Sequence, residues 1–321
     1  MSSIEKAVER LRGIQGSGQS RGRPEAPTTP IETTIRQSPD DKSSTGSGNG
    51  SSRGSSVDSG VGSGAESGVA KVTCHIDLER LERQGFVTPM TDRRASVKEL
   101  QLLKRPLLRN AFGQGAVVVE KGNLVMMTSA LPGEGKTFLA LNLAMSIALE
   151  RDLTVLLIDS DVIKPALSNL LGLETESGLT DLLLDANLQV SDVIKSTNID
   201  KLRVVPAGRR YVHSAELLAS EEMHRLAGEL SERYPNRIVI FDAPPQLATA
   251  EAGVLAQRVG QILVVVEEGR TPQRAVKDAI SHLDSQKVIG MVLNKSRGGY
   301  AHGHYGYGYG YGYGDGYREQ K

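Results

Sequence analysis

The 321-residue chain contains no tryptophan, only four phenylalanines and a single cysteine, Cys74. One thiol excludes an internal disulfide framework and any CxxC metal or cluster site, and it suits a reducing compartment. No apolar run approaches the roughly 18 residues of a membrane-spanning helix, and Glu5, Lys6, Glu9 and Arg10 interrupt the start where a secretory signal would be apolar. A cytoplasmic protein is expected. Charge of one sign is also missing. The 38 Lys and Arg balance the 38 Asp and Glu with no basic stripe, so nucleic acid is not an expected partner.

Aromatic residues are absent before Phe86, and residues 13–70 are dominated by Gly and Ser. Such a segment cannot bury enough apolar area to offset an ordering entropy of roughly 1–2 kcal/mol per residue, so it reads as a disordered linker. Ahead of it, residues 1–12 place Ile4, Ala7, Val8 and Leu11 at helical spacing, with Ser2 and Glu5 as a capping box. This short amphipathic helix is either a frayed end or a docking element.

Residues 71–112 read as a helical lead-in, with helices at 76–85 and 96–108, the second broken by Pro106. Residues 113–298 then alternate regularly. Strands are expected at 124–128, 154–158, 202–205, 238–241, 262–266 and 288–293, and helices at 137–150, 215–234, 248–257 and 272–284. Continuous apolar runs such as VLLI, IVIF and ILVVV suit a parallel sheet covered on both faces. The expected fold is a doubly wound, mostly parallel α/β domain of the P-loop NTPase type.

Directly after the first strand stands ALPGEGKT, residues 130–137, followed by an apolar helical stretch. It fits the P-loop pattern except that Ala130 replaces the first glycine. Gly133 and Gly135 let backbone N–H groups converge on phosphate oxygens at a helix N-terminus. Lys136 would reach the β and γ phosphates of ATP, and Thr137 would place its hydroxyl on Mg²⁺. Two further strands end in acids, VLLIDSD with Asp159 and Asp161 and IVIFDAPP with Asp242. Parallel strands deliver their C-terminal ends to one sheet edge, so these acids should gather beside the P-loop as a Mg²⁺ and nucleotide site.

With ALPGEGKT as Walker A, LLIDSDVIKP as a second acidic motif and IVIFDAPP as Walker B, the chain resembles the bacterial tyrosine kinases from about residue 100 onward. SSIEKAVERLR and KRPLLRNAFG look most like the tyrosine autokinases of exosortase-linked exopolysaccharide loci. The resemblance implies nucleotide binding by Gly133, Glu134, Gly135, Lys136, Thr137 and Phe138, with Asn294 as a candidate adenine contact or a plain turn residue. It implies metal binding by Thr137, Asp161 and Asp242, and a catalytic set of Lys136, Asp159 and Asp161. Asp159 would accept or orient the phenolic proton. Implied partners are a membrane polysaccharide co-polymerase as activator, further copies in a ring, and a cognate tyrosine phosphatase. The location would be cytoplasmic and peripheral at the inner membrane. Two departures stand out: Ile163 where an Arg usually follows the paired acids, and Leu102 in place of the middle Arg of the oligomerisation motif that begins at Glu99 and ends at Arg105.

Tyr300, Tyr305, Tyr307, Tyr309, Tyr311, Tyr313 and Tyr317 crowd residues 299–321, separated mostly by glycine, and only nine tyrosines occur in all. The family's terminal tyrosine cluster makes them the expected phosphoacceptors. An aromatic low-complexity adhesive is the other reading of the tail. A positioning ATPase of the MinD and ParA type is the other reading of the fold, although Leu131 stands where those proteins carry a signature lysine.

Overall fold

The computed structural model describes residues 73–91, 94–113 and 118–296. The expected N-terminal helix, the linker and the tyrosine tail lie outside the described residues.

Seven strands form one sheet in the order β3-β4-β2-β5-β1-β6-β7. They are β1 (Leu124–Ser129), β2 (Thr154–Asp159), β3 (Lys195–Ser196), β4 (Leu202–Val205), β5 (Arg237–Asp242), β6 (Gln261–Glu267) and β7 (Val288–Asn294). Every ladder is parallel except the short β3–β4 pair. Side chains alternate across a strand, so β1 sends Val125 and Met127 into one apolar core and Leu124 and Met126 into the other. Both cores are filled, which is why the central strands read as unbroken apolar runs.

In chain order the helices are α1 (Leu78–Arg83), α2 (Arg94–Ala111), α3 (Lys136–Ala148), α4 (Ala166–Leu171), α5 (Leu179–Leu184), α6 (Val190–Val193), α7 (Ser214–Ala219), α8 (Glu221–Glu232), α9 (Ala250–Ala256) and α10 (Gln273–Ser281). Helix α3 is apolar nearly all round and buried accordingly, between the sheet and the lead-in. Phe86 meets Phe138 with ring centroids 4.6 Å apart. The Val87 N–H donates to Asn142 Oδ1 at 2.6 Å, and Lys104 Nζ donates to the Ser146 carbonyl at 2.9 Å. The lead-in therefore shares the core of the nucleotide-binding domain.

Two helices depart from the sequence expectation. Pro106 does not end its helix: α2 runs through it to Ala111. An interior proline costs roughly 3 kcal/mol and strips the Leu102 carbonyl of its N–H partner. Leu102 is 72% exposed, so water can take that carbonyl, while buried Leu100 and Leu107 on the opposite face each contribute roughly 2 kcal/mol. Packing outweighs the break. Residues 215–234 form two helices instead of one, because Ser220 turns extended and its hydroxyl caps α8 by accepting from the Met223 N–H at 3.3 Å. Strand β3 was not anticipated. It is held to the start of the described chain, where the Thr73 and Cys74 N–H groups both donate to the Ser196 carbonyl at 2.9 Å.

Candidate functional site

Strand β1 ends at Ser129 and α3 begins at Lys136, leaving residues 130–135 to turn the chain. The turn uses φ of 84° at Gly133 and 96° at Gly135, a region that L side chains occupy at a cost of roughly 1–2 kcal/mol. Gly135 is also the N-cap of α3 and supplies no side-chain acceptor, so the first N–H groups of the helix stay open to an anion. They face a cavity of about 510 Å³ whose walls include Gly133, Lys136, Thr137, Asp161, Lys164 and Pro244.

One flank of this turn is braced by β6 and β7. Glu134 is buried, and its carboxylate accepts from the Leu131 N–H at 2.7 Å and from the Thr271 hydroxyl. Asn294, the last residue of β7, donates its amide to the Glu134 carbonyl at 2.8 Å. A side chain at position 135 would drive into that amide. Lys295 Nζ donates to the Gly133 carbonyl at 2.6 Å and to Glu267 at 3.1 Å. The side chains of Glu134, Phe138 and Asn294 thus hold the loop and core together and do not line the cavity.

The other flank is acidic. Ladder register sets Asp159 of β2 level with Asp242 of β5. Asp159 is fully buried, and its Oδ2 accepts from both the backbone N–H and the hydroxyl of Ser168 at 2.7 Å, while Oδ1 accepts from the Asp161 N–H at 3.3 Å. Burial, and then the Asp242 charge, push its pKa up to about 7. Asp242 is equally buried, and its carboxylate faces Lys136 and the Thr137 hydroxyl with no well-formed hydrogen bond to either oxygen. Burial raises its pKa to about 6, opposed by the Lys136 charge and the Thr137 hydroxyl. Lys136 Nζ lies 3.9 Å from Asp242 and pairs with Asp161 Oδ2 at 2.9 Å. Burial works against the ammonium, but Asp242 and Asp161 outweigh it and hold its pKa above the ordinary value.

Among the described residues no group of three His, Cys, Asp or Glu side chains stands close enough to hold a metal on its own. Mg²⁺ does not need one, because it takes one or two carboxylates and completes its octahedron with phosphate oxygens and water. An orphaned, buried Asp242 beside a serviceable hydroxyl on Thr137 fits that requirement.

The structure thus brings Lys136, Thr137, Asp159, Asp161 and Asp242 to one sheet edge. Sequence reasoning missed Ser168, Thr271, Glu267 and Lys295. It also missed Arg210, whose guanidinium donates to the Ile163 carbonyl at 3.2 Å and so brings a cation to the position where the family's Arg is lacking.

Residues 123–283 match the AAA domain family. Tyrosine-protein kinase YwqD of Bacillus subtilis (strain 168) is 37% identical over 173 residues, which cover 53% of this chain and 71% of that protein. The chain belongs to the bacterial tyrosine kinases. This kinase is also 32% identical over 185 residues to tyrosine-protein kinase ptk of Acinetobacter johnsonii, but the match spans 56% of the chain and only 25% of that longer protein. Among solved structures the VpsO kinase domain superposes with a TM-score of 0.54 at 28% identity, covering 68% of this kinase and 98% of that chain. The P-loop accordingly marks a nucleotide-binding domain, and no helix among its described residues is long and apolar enough to cross a membrane.

Proposed function

We propose that this kinase transfers the γ-phosphoryl group of ATP to Tyr300, Tyr305, Tyr307, Tyr309, Tyr311, Tyr313 and Tyr317 of a neighbouring copy. The observation that carries the reading is the orphaned Asp242 carboxylate facing Lys136 and Thr137 at an uncapped helix N-terminus. Lys136 would turn from Asp161 to the β and γ phosphates, and Asp161, Asp242 and the Thr137 hydroxyl would hold Mg²⁺. Bound Mg²⁺ supplies charge neutralisation on the phosphates. The phenolic oxygen attacks the γ phosphorus as the bond to the β–γ bridging oxygen breaks, and ADP departs with that electron pair.

Asp159 takes the phenolic proton. Its pKa of about 7 suits a general base. Ser168 and the Asp161 backbone close both its oxygens, so residues 160–168 must shift before a phenol reaches it.

The chain leaves β7 at Asn294, within the P-loop brace, and each later residue can add up to about 3.3 Å of reach toward a neighbour. Seven phosphotyrosines at roughly −1.5 to −2 each would add about −10 to −14 of charge to every copy. Such charge would drive a ring of copies apart. A tyrosine phosphatase would restore it. A membrane polysaccharide co-polymerase acts as activator and holds the kinase peripherally at the inner membrane, so that phosphorylation tunes exopolysaccharide synthesis or export. The full chain incubated with Mg-ATP and that activator should show phosphotyrosine in tail peptides by mass spectrometry. Its absence, or its persistence in Lys136→Met, overturns the reading.

A further inference from the structure

At the opposite end of the sheet from the P-loop, three arginines from three separate elements converge. Arg203 lies on β4 and Arg237 opens β5, and the two strands flank β2, where Leu156 and Thr154 are their ladder partners. Arg233 follows α8 as its C-cap. Together with Tyr234 and Glu229 they line a concavity of about 110 Å³ floored by Ile194 and Leu230. The Arg237 guanidinium stacks on the Tyr234 ring at 3.7 Å, and that of Arg233 stands 5.6 Å from the same centroid. Arg233 pairs with Glu229 at 2.5 Å. Among the described residues neither Arg203 nor Arg237 has a carboxylate partner; the one hydrogen bond of the Arg203 side chain goes to the Leu202 carbonyl at 3.2 Å.

Arg203 and Arg237 are partly buried while Arg233 and Glu229 are exposed, and three guanidinium charges face one carboxylate. An anion would answer the two that have no carboxylate partner. Burial, reinforced by Arg203 and Arg233, holds the Arg237 pKa below its ordinary value, although the nearby Tyr234 opposes the shift. A phosphate monoester dianion matches the charge, forks well onto guanidinium groups, and is close in size to the cavity. A phosphotyrosine also brings an aromatic ring that can meet Tyr234 and the apolar floor.

We infer that Arg203, Arg233 and Arg237 form a phosphotyrosine-binding site that captures the phosphorylated tail of another copy. This rests on the tail being the phosphoacceptor, and it adds that the product of the reaction is itself read by the kinase. Mutual binding of tail and site would link copies that have reacted, opposing the charge repulsion between them.

The full chain carrying Lys136→Met, to keep its own tail unmodified, is titrated with a labelled synthetic peptide of residues 303–314 bearing phosphotyrosines. The unphosphorylated peptide is measured in parallel, with inorganic phosphate as competitor. Fluorescence anisotropy should show binding of the phosphopeptide alone, weakened about tenfold or more by Arg203→Gln and by Arg237→Gln. Tyr234→Phe should leave binding within a few-fold. Circular dichroism monitors folding, and if Arg237→Gln does not fold then Arg203→Gln alone decides. Equal binding of the two peptides, binding unchanged in the arginine variants, or inorganic phosphate competing as well as phosphotyrosine would each overturn the inference. Because the phosphates are supplied synthetically, a negative result here leaves the tail's role as acceptor to stand or fall on the mass spectrometry.

Discussion

The two flanks of the P-loop solve opposite problems. On the β6–β7 side, Glu134 is met by Thr271 and Asn294, and Lys295 by Gly133 and Glu267, so the polar groups that hold the turn have partners within the protein. On the β2–β5 side, buried Asp242 has only the long 3.9 Å ion pair with Lys136, whose ammonium leans closer to Asp161. The first flank fixes the shape of the loop. The second gathers buried charge with few hydrogen bonds to satisfy it, a cost that the rest of the fold must carry.

Breaking the second flank should have the largest effect. Lys136→Met is expected to lower autophosphorylation by about 10²–10³-fold or more, measured by radiolabel transfer, with the circular dichroism spectrum unchanged. Asp242→Asn should separate stability from function. Folded Asp159 and Asp242, with pKa values of about 7 and about 6, hold protons that the unfolded chain releases near 3.9. Stability of the nucleotide-free protein should therefore fall as pH rises from about 4 to 7. The Asn variant should flatten that slope and raise nucleotide-free stability at neutral pH, while losing the thermal stabilisation that Mg-ATP gives the parent. A variant that keeps that stabilisation would contradict the assignment of Asp242 to the metal.

The bracing flank should answer differently. Glu134→Ala leaves the Leu131 N–H and the Thr271 hydroxyl proton without an acceptor and should cost roughly 1–3 kcal/mol in denaturant unfolding, with weaker nucleotide binding as the loop loosens. Asn294→Ala should cost about 1 kcal/mol. Lys295→Ala, whose ammonium is half exposed, should stay within about 0.5 kcal/mol. If Lys295 proved more costly than Glu134, the ordering of internal satisfaction over surface charge would be wrong.

The acidic flank was legible in the sequence because each of its residues sits at the end of an apolar strand run, and parallel strands must deliver those ends to a common edge. The bracing flank was not. Thr271 and Lys295 reach the P-loop only because β6 lies beside β1 and β7 beside β6, and no local pattern says which strand will be a neighbour. Ser168 was missed for a related reason: α4 has six residues, too few to show a helical period. Pro106 was over-read, since a local rule about proline met burial of Leu100 and Leu107. The three arginines of the opposite edge span residues 203–237 and form no stripe in the sequence, only in the fold.

The Thr73 and Cys74 contacts with β3 place the start of the described chain at one margin of the sheet, and β7 places its end at the other. Seven strands give six spacings of about 4.8 Å, so about 29 Å of sheet width separates the two. The domain consequently has a direction. The chain enters beside β3, far from the phosphate site, and leaves from β7 beside it. That exit lies against the P-loop itself, where Asn294 and Lys295 touch the turn, so the last described residues and the phosphate site move as one unit.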